Sequence, residues 1–354
     1  MKIGSSFRKK NIMSSIRNLL WDAVILSSVF SLIIVSSACD AIKISDPEST
    51  SETESTRYTA PVFSQNFGKV DHFFLSPDFE VTIGASEYGI FIFDSMKATA
   101  PQCLLSKNPN HVVISPQNNS IAWISSETDI SILALNGNKY SPITLSSENP
   151  VTSIAYSASG DRLAFSTYAC ELSIYNLSEK KLVSQWEAPE WLTNITYSPD
   201  GTLIAGASLS GLKIIVIEVK TGEVKRIYNW DDSVYSSLYG AYISPSWRKI
   251  AWVSKNVVQI MDMENDKLGP LLRHKDFISE FAWSPDGQLV ASSSVAEISG
   301  ELVPYVYIWD VERGMKIKEL FQEALVRDLF FSTDASQIAV FNSNGNLNIW
   351  NIAD

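Results

Sequence analysis

One pattern recurs seven times after residue 70, and it constrains the fold of this chain more than any other feature. An apolar segment runs into a serine and a tight turn, most clearly in the Ser-Pro-Asp-Gly turns at 198–201 and 284–287. The repeated serines are Ser76, Ser115, Ser157, Ser198, Ser244, Ser284 and Ser332. Their spacings of 39, 42, 41, 46, 40 and 48 residues are typical of one four-stranded blade of a β-propeller.

The residues around each serine keep a constant register. The residues one and three positions before the serine are apolar or aromatic in all seven repeats. Alternate residues of a strand point to the same face of a sheet, so this pattern predicts a strand with one buried face in each repeat. A strand rich in small residues, an apolar strand and, in six repeats, a more polar segment follow. The sequence therefore predicts an all-β, seven-bladed β-propeller of four-stranded antiparallel blades.

The last repeat ends at Asp354, one strand short of a complete blade. A strand-like segment without a repeat of its own, APVFSQ, lies upstream at 60–65. We expect this N-terminal strand to complete the last blade and to close the ring, because closure removes exposed sheet edges. Pro61 is compatible with an outer edge strand, where a missing N–H costs no ladder hydrogen bond.

The end of the third strand carries a signature pair in the sixth repeat, Trp309-Asp310 within VYIWDV. The corresponding pairs in other repeats are Phe93-Asp94, Tyr175-Asn176, Met261-Asp262 and Trp350-Asn351. With these pairs, residues 59–354 resemble the bacterial WD40-repeat proteins. That family's Gly-His dipeptide is absent, so the resemblance implies that its His–Ser–Trp–Asp hydrogen-bond network is mostly missing. We expect His274, near a loop, to be a surface residue.

The N-terminal segment 1–38 has the order of a secretory signal: a basic region, an apolar run and small residues before Cys39. The apolar run, 23–38, is shorter than the roughly 20 residues of a membrane-spanning helix. VSSAC at 35–39 resembles a bacterial lipobox, which implies cleavage before Cys39 and lipidation of its thiol. An uncleaved signal anchor and a plain signal cut after Ala38 are the alternatives. All three place the remaining chain outside the cytoplasm, and we favour a lipoprotein anchored to the bacterial cell membrane.

Residues 39–58 are rich in Ser, Thr and Glu and contain few large apolar residues. Such a segment cannot bury enough apolar surface to offset its loss of conformational entropy, so it is expected to be a flexible tether. The predicted organisation is therefore a signal segment (1–38), a tether (39–58) and a propeller (59–354).

The charge and the chemistry-bearing residues exclude several functions. The net charge is −11, and because the first 38 residues carry five bases and one acid, the remainder carries −15. Such a surface repels phosphate backbones, so no nucleic-acid partner is expected. The three histidines and three cysteines form no short-spaced ligand pair, and we predict neither a metal nor a cofactor. Motifs of hydrolases, phosphate-binding loops and propeller enzymes are also absent, which favours a non-enzyme.

Two connections between repeats combine aromatic and acidic residues, at 187–191 and 230–235. Aromatic side chains supply much of the binding energy of protein interfaces. The candidate partner-binding residues are Glu187, Glu190, Trp191, Trp230, Asp231, Asp232 and Tyr235. The alternative is that Trp191 and Trp230 pack between adjacent blades. The insertion at 294–305 is a second candidate protrusion, with flexible decoration as its alternative.

These features predict a monomeric, non-catalytic, membrane-tethered scaffold outside the cytoplasm that binds a protein or peptide through propeller loops. The alternative is an extracytoplasmic enzyme or carbohydrate-binding module that uses the central channel. A convergent cluster of acids and histidines at the channel mouth would favour the alternative.

Overall fold

The computed structural model describes residues 60–353, apart from residues 69, 77, 80, 87–88, 95–101, 105–108, 136–141, 209–212, 231–237, 276 and 299–300. All regular structure in this part of the chain is β-strand, and it contains no helix that could cross a membrane. The predicted signal segment and tether, with Cys39, lie outside the described residues.

The strands of the described residues form seven antiparallel sheets of four, and each sheet is one blade. Blade 1 has β2 (His72–Leu75), β3 (Val81–Ser86), β4 (Gly89–Asp94) and β5 (Gln102–Leu104); blade 2 has β6 (Asn110–Ile114), β7 (Ser120–Ile124), β8 (Asp129–Ala134) and β9 (Ile143–Ser146). Blade 3 has β10 (Val151–Tyr156), β11 (Arg162–Thr167), β12 (Glu171–Asn176) and β13 (Lys181–Glu187); blade 4 has β14 (Leu192–Tyr197), β15 (Leu203–Ser208), β16 (Lys213–Glu218) and β17 (Val224–Asn229). Blade 5 has β18 (Leu238–Ile243), β19 (Lys249–Ser254), β20 (Val257–Asp262) and β21 (Leu268–Arg273); blade 6 has β22 (Ile278–Trp283), β23 (Leu289–Ile298), β24 (Glu301–Asp310) and β25 (Met315–Phe321). Blade 7 has β26 (Val326–Phe331), β27 (Gln337–Asn342), β28 (Asn346–Asn351) and β1 (Phe63–Asn66).

The blades form a closed ring with their first strands innermost. Contacts between first strands join β10 to β14, β22 to β26 and, across the ring closure, β2 of blade 1 to β26 of blade 7. Seven apolar clusters follow, one at each junction between two blades. Second and third strands are buried on both faces, as in β15 and β16, whereas fourth strands such as β13 are largely exposed. This explains why the second and third strands are continuous apolar runs while the fourth is more polar.

The predicted ring closure is confirmed. β1 pairs antiparallel with β28, with Phe63 opposite Ile349 and Gln65 opposite Leu347. The strand begins three residues later than predicted, so that Pro61 precedes it. All four residues of β1 are exposed, as expected for the outer strand of a blade.

The repeated serine is a structural residue of the turn. All seven serines are buried, and the N–H five residues later donates to each serine Oγ over 2.8–3.1 Å. The residue three positions after the serine has a positive φ and donates its N–H to the serine carbonyl. These residues are Phe79, Asn118, Gly160, Gly201, Trp247, Gly287 and Ala335. A left-handed residue at this point explains the glycine of the Ser-Pro-Asp-Gly turns.

Candidate functional site

Antiparallel strand order divides the connections of each blade between the two ends of the propeller. Turns between first and second strands, such as 198–201, and between third and fourth strands, such as 219–223, lie at one end, which we call the turn face. Turns between second and third strands, such as 167–171, and connections between blades, such as 188–191, lie at the other end, which we call the loop face. The described residues of the predicted partner-binding connections, Glu187, Glu190, Trp191 and Trp230, belong to the loop face.

The connection between blades 3 and 4 presents part of the predicted site as an organised patch. The Trp191 ring packs edge-on against Tyr168, with 5.3 Å between ring centroids. The Ala188 N–H donates to the Cys170 carbonyl over 2.6 Å and fixes the connection on blade 3. The Lys213 ammonium donates to the Glu190 carboxylate.

Glu187 completes this part of the predicted site. It is exposed at the end of β13, opposite Glu171. The structure therefore brings Glu187, Glu190 and Trp191 together, and we call these residues with Tyr168 the loop patch.

The electrostatics of the loop patch do not favour nucleophilic chemistry. The Cys170 thiol lies beside the loop patch, and the Cys170 backbone has a positive φ of 62°. Burial raises the pKa of this thiol, and the charges of Glu187 and Glu190 raise it further. A protonated thiol is a poor nucleophile, so Cys170 is not an activated cysteine.

Trp230 lies in a different environment from Trp191. It packs against the apolar cluster between blades 4 and 5, and its ring centroid is 5.6 Å from that of the fully buried Trp252. Trp191 and Trp230 thus belong to different junctions. Trp230 packs between adjacent blades, which was the alternative to a binding role. Asp231, Asp232 and Tyr235 lie outside the described residues.

A ring of polar residues at the innermost strands was missed by the sequence reasoning. It consists of the residues four positions before the repeated serines: His72, His111, Ser153, Asn194, Gly240, Glu280 and Asp328. Six of these seven positions are polar, and this pattern is visible in the sequence alone. The strand register shifts beside this position in blades 2 to 7, and such bulges change the direction of a side chain. We call this set the inner ring.

The inner ring ties neighbouring blades together. The Phe73 N–H of blade 1 donates to Asp328 Oδ2 of blade 7 over 2.8 Å. The Ile195 N–H of blade 4 donates to Ser153 Oγ of blade 3 over 3.1 Å. Both N–H groups lie three residues before a repeated serine, so the two hydrogen bonds are equivalent. A side chain of one blade thus satisfies a backbone donor of the next.

Burial controls the ionisation of the inner ring. It raises the pKa of the Glu280 carboxyl well above its usual range, and the charge of Asp328 adds to this effect. Burial also raises the pKa of Asp328, whose hydrogen bond raises the pKa of His72. Burial lowers the pKa of His111 to about 4. Among the described residues, no group of three acids, histidines or cysteines could hold a metal ion.

Blade 6 contains a buried polar network that corrects one expectation. His274 is 6% exposed rather than a surface residue, and its Nε2 lies 2.6 Å from Ser292 Oγ. The Trp309 indole N–H donates to the same oxygen over 3.0 Å. The histidine was missed because Arg273, not glycine, precedes it.

The insertion in blade 6 is regular structure. Strands β23 and β24 are ten residues long, and their pairing extends from Leu289–Asp310 to Ile298–Glu301. The predicted protrusion at 294–305 is therefore a β-hairpin extension toward the loop face.

Comparisons with known proteins agree with this architecture. Residues 266–295, from the third turn of blade 5 into β23, match the family model "WD domain, G-beta repeat". Over 145 residues the chain is 26% identical to WD repeat-containing protein SL1-17 of Schistosoma mansoni, covering 41% of this chain. The match covers 47% of that relative, so the chain spans about half of its length.

A chain in the "Crystal Structure of Mitotic Checkpoint Complex" superposes with a TM-score of 0.66 and 12% identity. The superposition covers 89% of this chain and 98% of that chain. At this identity the likeness shows the fold alone. The fold is thus a seven-bladed β-propeller, and its segment 266–295 is similar to a WD repeat.

Proposed function

We propose that this chain is a non-catalytic scaffold that binds a protein or peptide partner through its loop face. The observation that carries the proposal is the loop patch at the junction of blades 3 and 4, in which Trp191 packs against Tyr168, Glu190 pairs with Lys213 and Glu187 is exposed. Aromatic residues at the end of a rigid frame are typical binding anchors. WD40-type propellers are typically interaction scaffolds, which supports the same conclusion.

The cellular setting is part of the same proposal. The signal-like segment 1–38 and Cys39 support a propeller tethered to a membrane outside the cytoplasm, as a monomer that presents its loop face to the partner. The exposed Glu187, which lies opposite Glu171, favours a partner surface with basic residues.

Crosslinking in the native membrane tests the scaffold function. A photoreactive residue placed at Ala169, beside the patch, is expected to capture a partner that mass spectrometry identifies. Trp191→Ala with Glu187→Lys should reduce this capture at least tenfold. Glu312→Lys, the same charge reversal at an exposed residue of the turn face, is the matched control and should leave capture unchanged. Equal capture by the loop-patch variant and the wild type would contradict the proposal.

The alternative function, an enzyme or carbohydrate-binding module at the channel, is favoured by one observation. The inner ring brings Asp328, Glu280 and His72 from three adjacent blades into electrostatic contact. Glu280→Gln would abolish an activity of this site, whereas a scaffold that binds through the loop patch would retain partner capture. Loss of capture in Glu280→Gln, with Trp191→Ala silent, would favour the channel.

A further inference from the structure

Three basic side chains lie together at the loop face of blade 5, and the loop patch does not include them. They are Lys255, in the turn between β19 and β20, Arg273, at the end of β21, and Lys275, two residues later. All three are exposed, and none makes a side-chain hydrogen bond or ion pair with the described residues. We call these three residues the basic cluster.

Backbone hydrogen bonds hold the basic cluster in one place. The Ile278 N–H donates to the Lys255 carbonyl over 2.9 Å. The His274 N–H donates to the Asn256 carbonyl, also over 2.9 Å, and the other two basic residues flank His274 in the chain. The turn of blade 5 is thus joined to the connection that leads into blade 6. The three cations therefore stay close to one another on a fixed backbone.

The equivalent positions of blade 2 carry acidic residues. The Val151 N–H donates to the Glu127 carbonyl over 2.7 Å, which places Glu127 where blade 5 has Lys255. Glu148 follows the residue whose N–H donates back to this turn, which is the place of Lys275 in blade 5. Glu127 and Glu148 are both exposed. The two blades thus present opposite charges at matching points of the loop face.

Blade 3 continues this inversion of charge within the loop patch. Glu187 precedes the residue whose N–H donates to the second turn of its blade, which is the place of Arg273 in blade 5. Glu187 lies opposite Glu171, whereas Arg273 lies opposite Val257. The backbone pairing is the same in both blades, so the fold requires neither sign of charge. The loop face is therefore acidic at blades 2 and 3 and basic at blade 5.

The surroundings of the basic cluster supply an aromatic surface and little counter-charge. Phe277, in the same connection, is 42% exposed. Burial raises the pKa of Glu280, on the strand that follows, well above its usual range and so favours its neutral form. Glu323, an exposed acid of the loop face, belongs to the connection between blades 6 and 7. A carboxylate that reaches the basic cluster thus meets cations whose charge is not already compensated.

We propose that the basic cluster binds an acidic segment of the same protein partner that the loop patch binds. The partner then presents basic residues to blades 2 and 3 and acidic residues to blade 5. This inference rests on the proposed scaffold function and specifies the charge pattern of the partner and its orientation. A partner turned the other way would bring like charges together, so the charge pattern selects one orientation on the loop face.

Site-specific photocrosslinking of the full chain in the native membrane tests the proposal. A photoreactive phenylalanine analogue at Phe277 is expected to capture the same protein as the probe at Ala169. Mass spectrometry of the crosslinked peptides should show a segment rich in Asp and Glu at Phe277 and a segment rich in Lys and Arg at Ala169. Lys255→Glu with Lys275→Glu should lower capture at Phe277 by about tenfold or more.

Lys220→Glu with Lys267→Glu makes the same change at two exposed lysines of the turn face and should leave capture within about twofold. Thermal unfolding of each variant separates a loss of binding from a loss of folding. The proposal is overturned, and the scaffold function stands, if Ala169 captures a partner while Phe277 captures none of it or captures a basic segment. Crosslinks from Phe277 to lipid or to a second copy of this chain, or equal losses in the two lysine variants, also overturn it. If neither probe captures a partner, the scaffold function fails as well.

Discussion

At the scale of single residues, the repeated serine explains why the turn sequence is recognisable in every blade. Its Oγ accepts a backbone N–H at the start of the next strand, and its own N–H donates back to that residue. A buried donor without a partner is costly, so the serine is selected in each blade for the same physical reason. The left-handed residue three positions later is constrained only in φ, so its identity varies from Gly201 to Trp247.

We predict opposite effects of exchanging glycine and alanine at this turn position. Gly201 has a φ of 69° and no atom within 4 Å of an added Cβ, so Gly201→Ala tests the backbone alone. It should lower the free energy of unfolding by about 1 kcal/mol. Ala335→Gly, at a φ of 55°, should raise it by about 0.5 kcal/mol. Urea unfolding measures both, and effects of the same sign would contradict this explanation.

A second prediction concerns the pH dependence of stability. The pKa of Glu280 is raised in the folded protein, so the folded state binds this proton more tightly than the unfolded state. The contribution of Glu280 to stability is therefore lost as the pH rises from about 4.3, the usual pKa of glutamate, toward the raised pKa. Glu280→Gln should be more stable than the wild type at pH 8 and equal to it near pH 4.

Thermal unfolding across this pH range measures the difference between the two proteins. The exposed Glu312→Gln is the control and should follow the wild type. A wild type that is the more stable protein at pH 8 would show that Glu280 is paired rather than buried as a neutral acid.

At the scale of structural elements, β1 and the β23–β24 hairpin determine how the repeat is completed and varied. β1 supplies the fourth strand of blade 7, so all seven blades have four strands. The hairpin lengthens the second and third strands of blade 6 without changing their register inside the blade. Both elements keep the ladder of blade hydrogen bonds, so they add to the repeat without disturbing the junctions.

The closing strand can be tested with two proline substitutions. The Phe67 N–H donates to Gly345, so in the alternating antiparallel pattern the Gln65 N–H also points to β28 and the Ser64 N–H points away. Gln65→Pro should therefore lower the free energy of unfolding by about 1–3 kcal/mol. Ser64→Pro, the matched control, should cost less than about 1 kcal/mol. Equal effects would indicate that the pairing of β1 does not stabilise the ring.

At the scale of the whole molecule, seven apolar junctions make the propeller one cooperative unit with two ends. The loop face carries the loop patch and the hairpin of blade 6, and the turn face carries the seven serine turns.

The membrane tether gives a prediction for the whole chain. Cys39→Ala removes the thiol that a lipid would modify, so the variant should move from the membrane to the soluble fraction in its native host. Fractionation with a propeller-specific antibody measures this, and Cys103→Ala is the control. A variant that remains in the membrane fraction would contradict lipidation and favour an uncleaved signal anchor.

The sequence by itself determined the number of blades, the strand order and the closing strand. Those features depend on local periodicity and on a turn whose serine and left-handed residue are adjacent in the chain. Only the tertiary structure decided that Trp230 packs beside Trp252, that His274 is buried against Ser292, and that residues about 40 positions apart form the inner ring. The physical reason is that burial and pairing in a propeller arise between blades, and a single repeat does not show which side chains its neighbour will place against it.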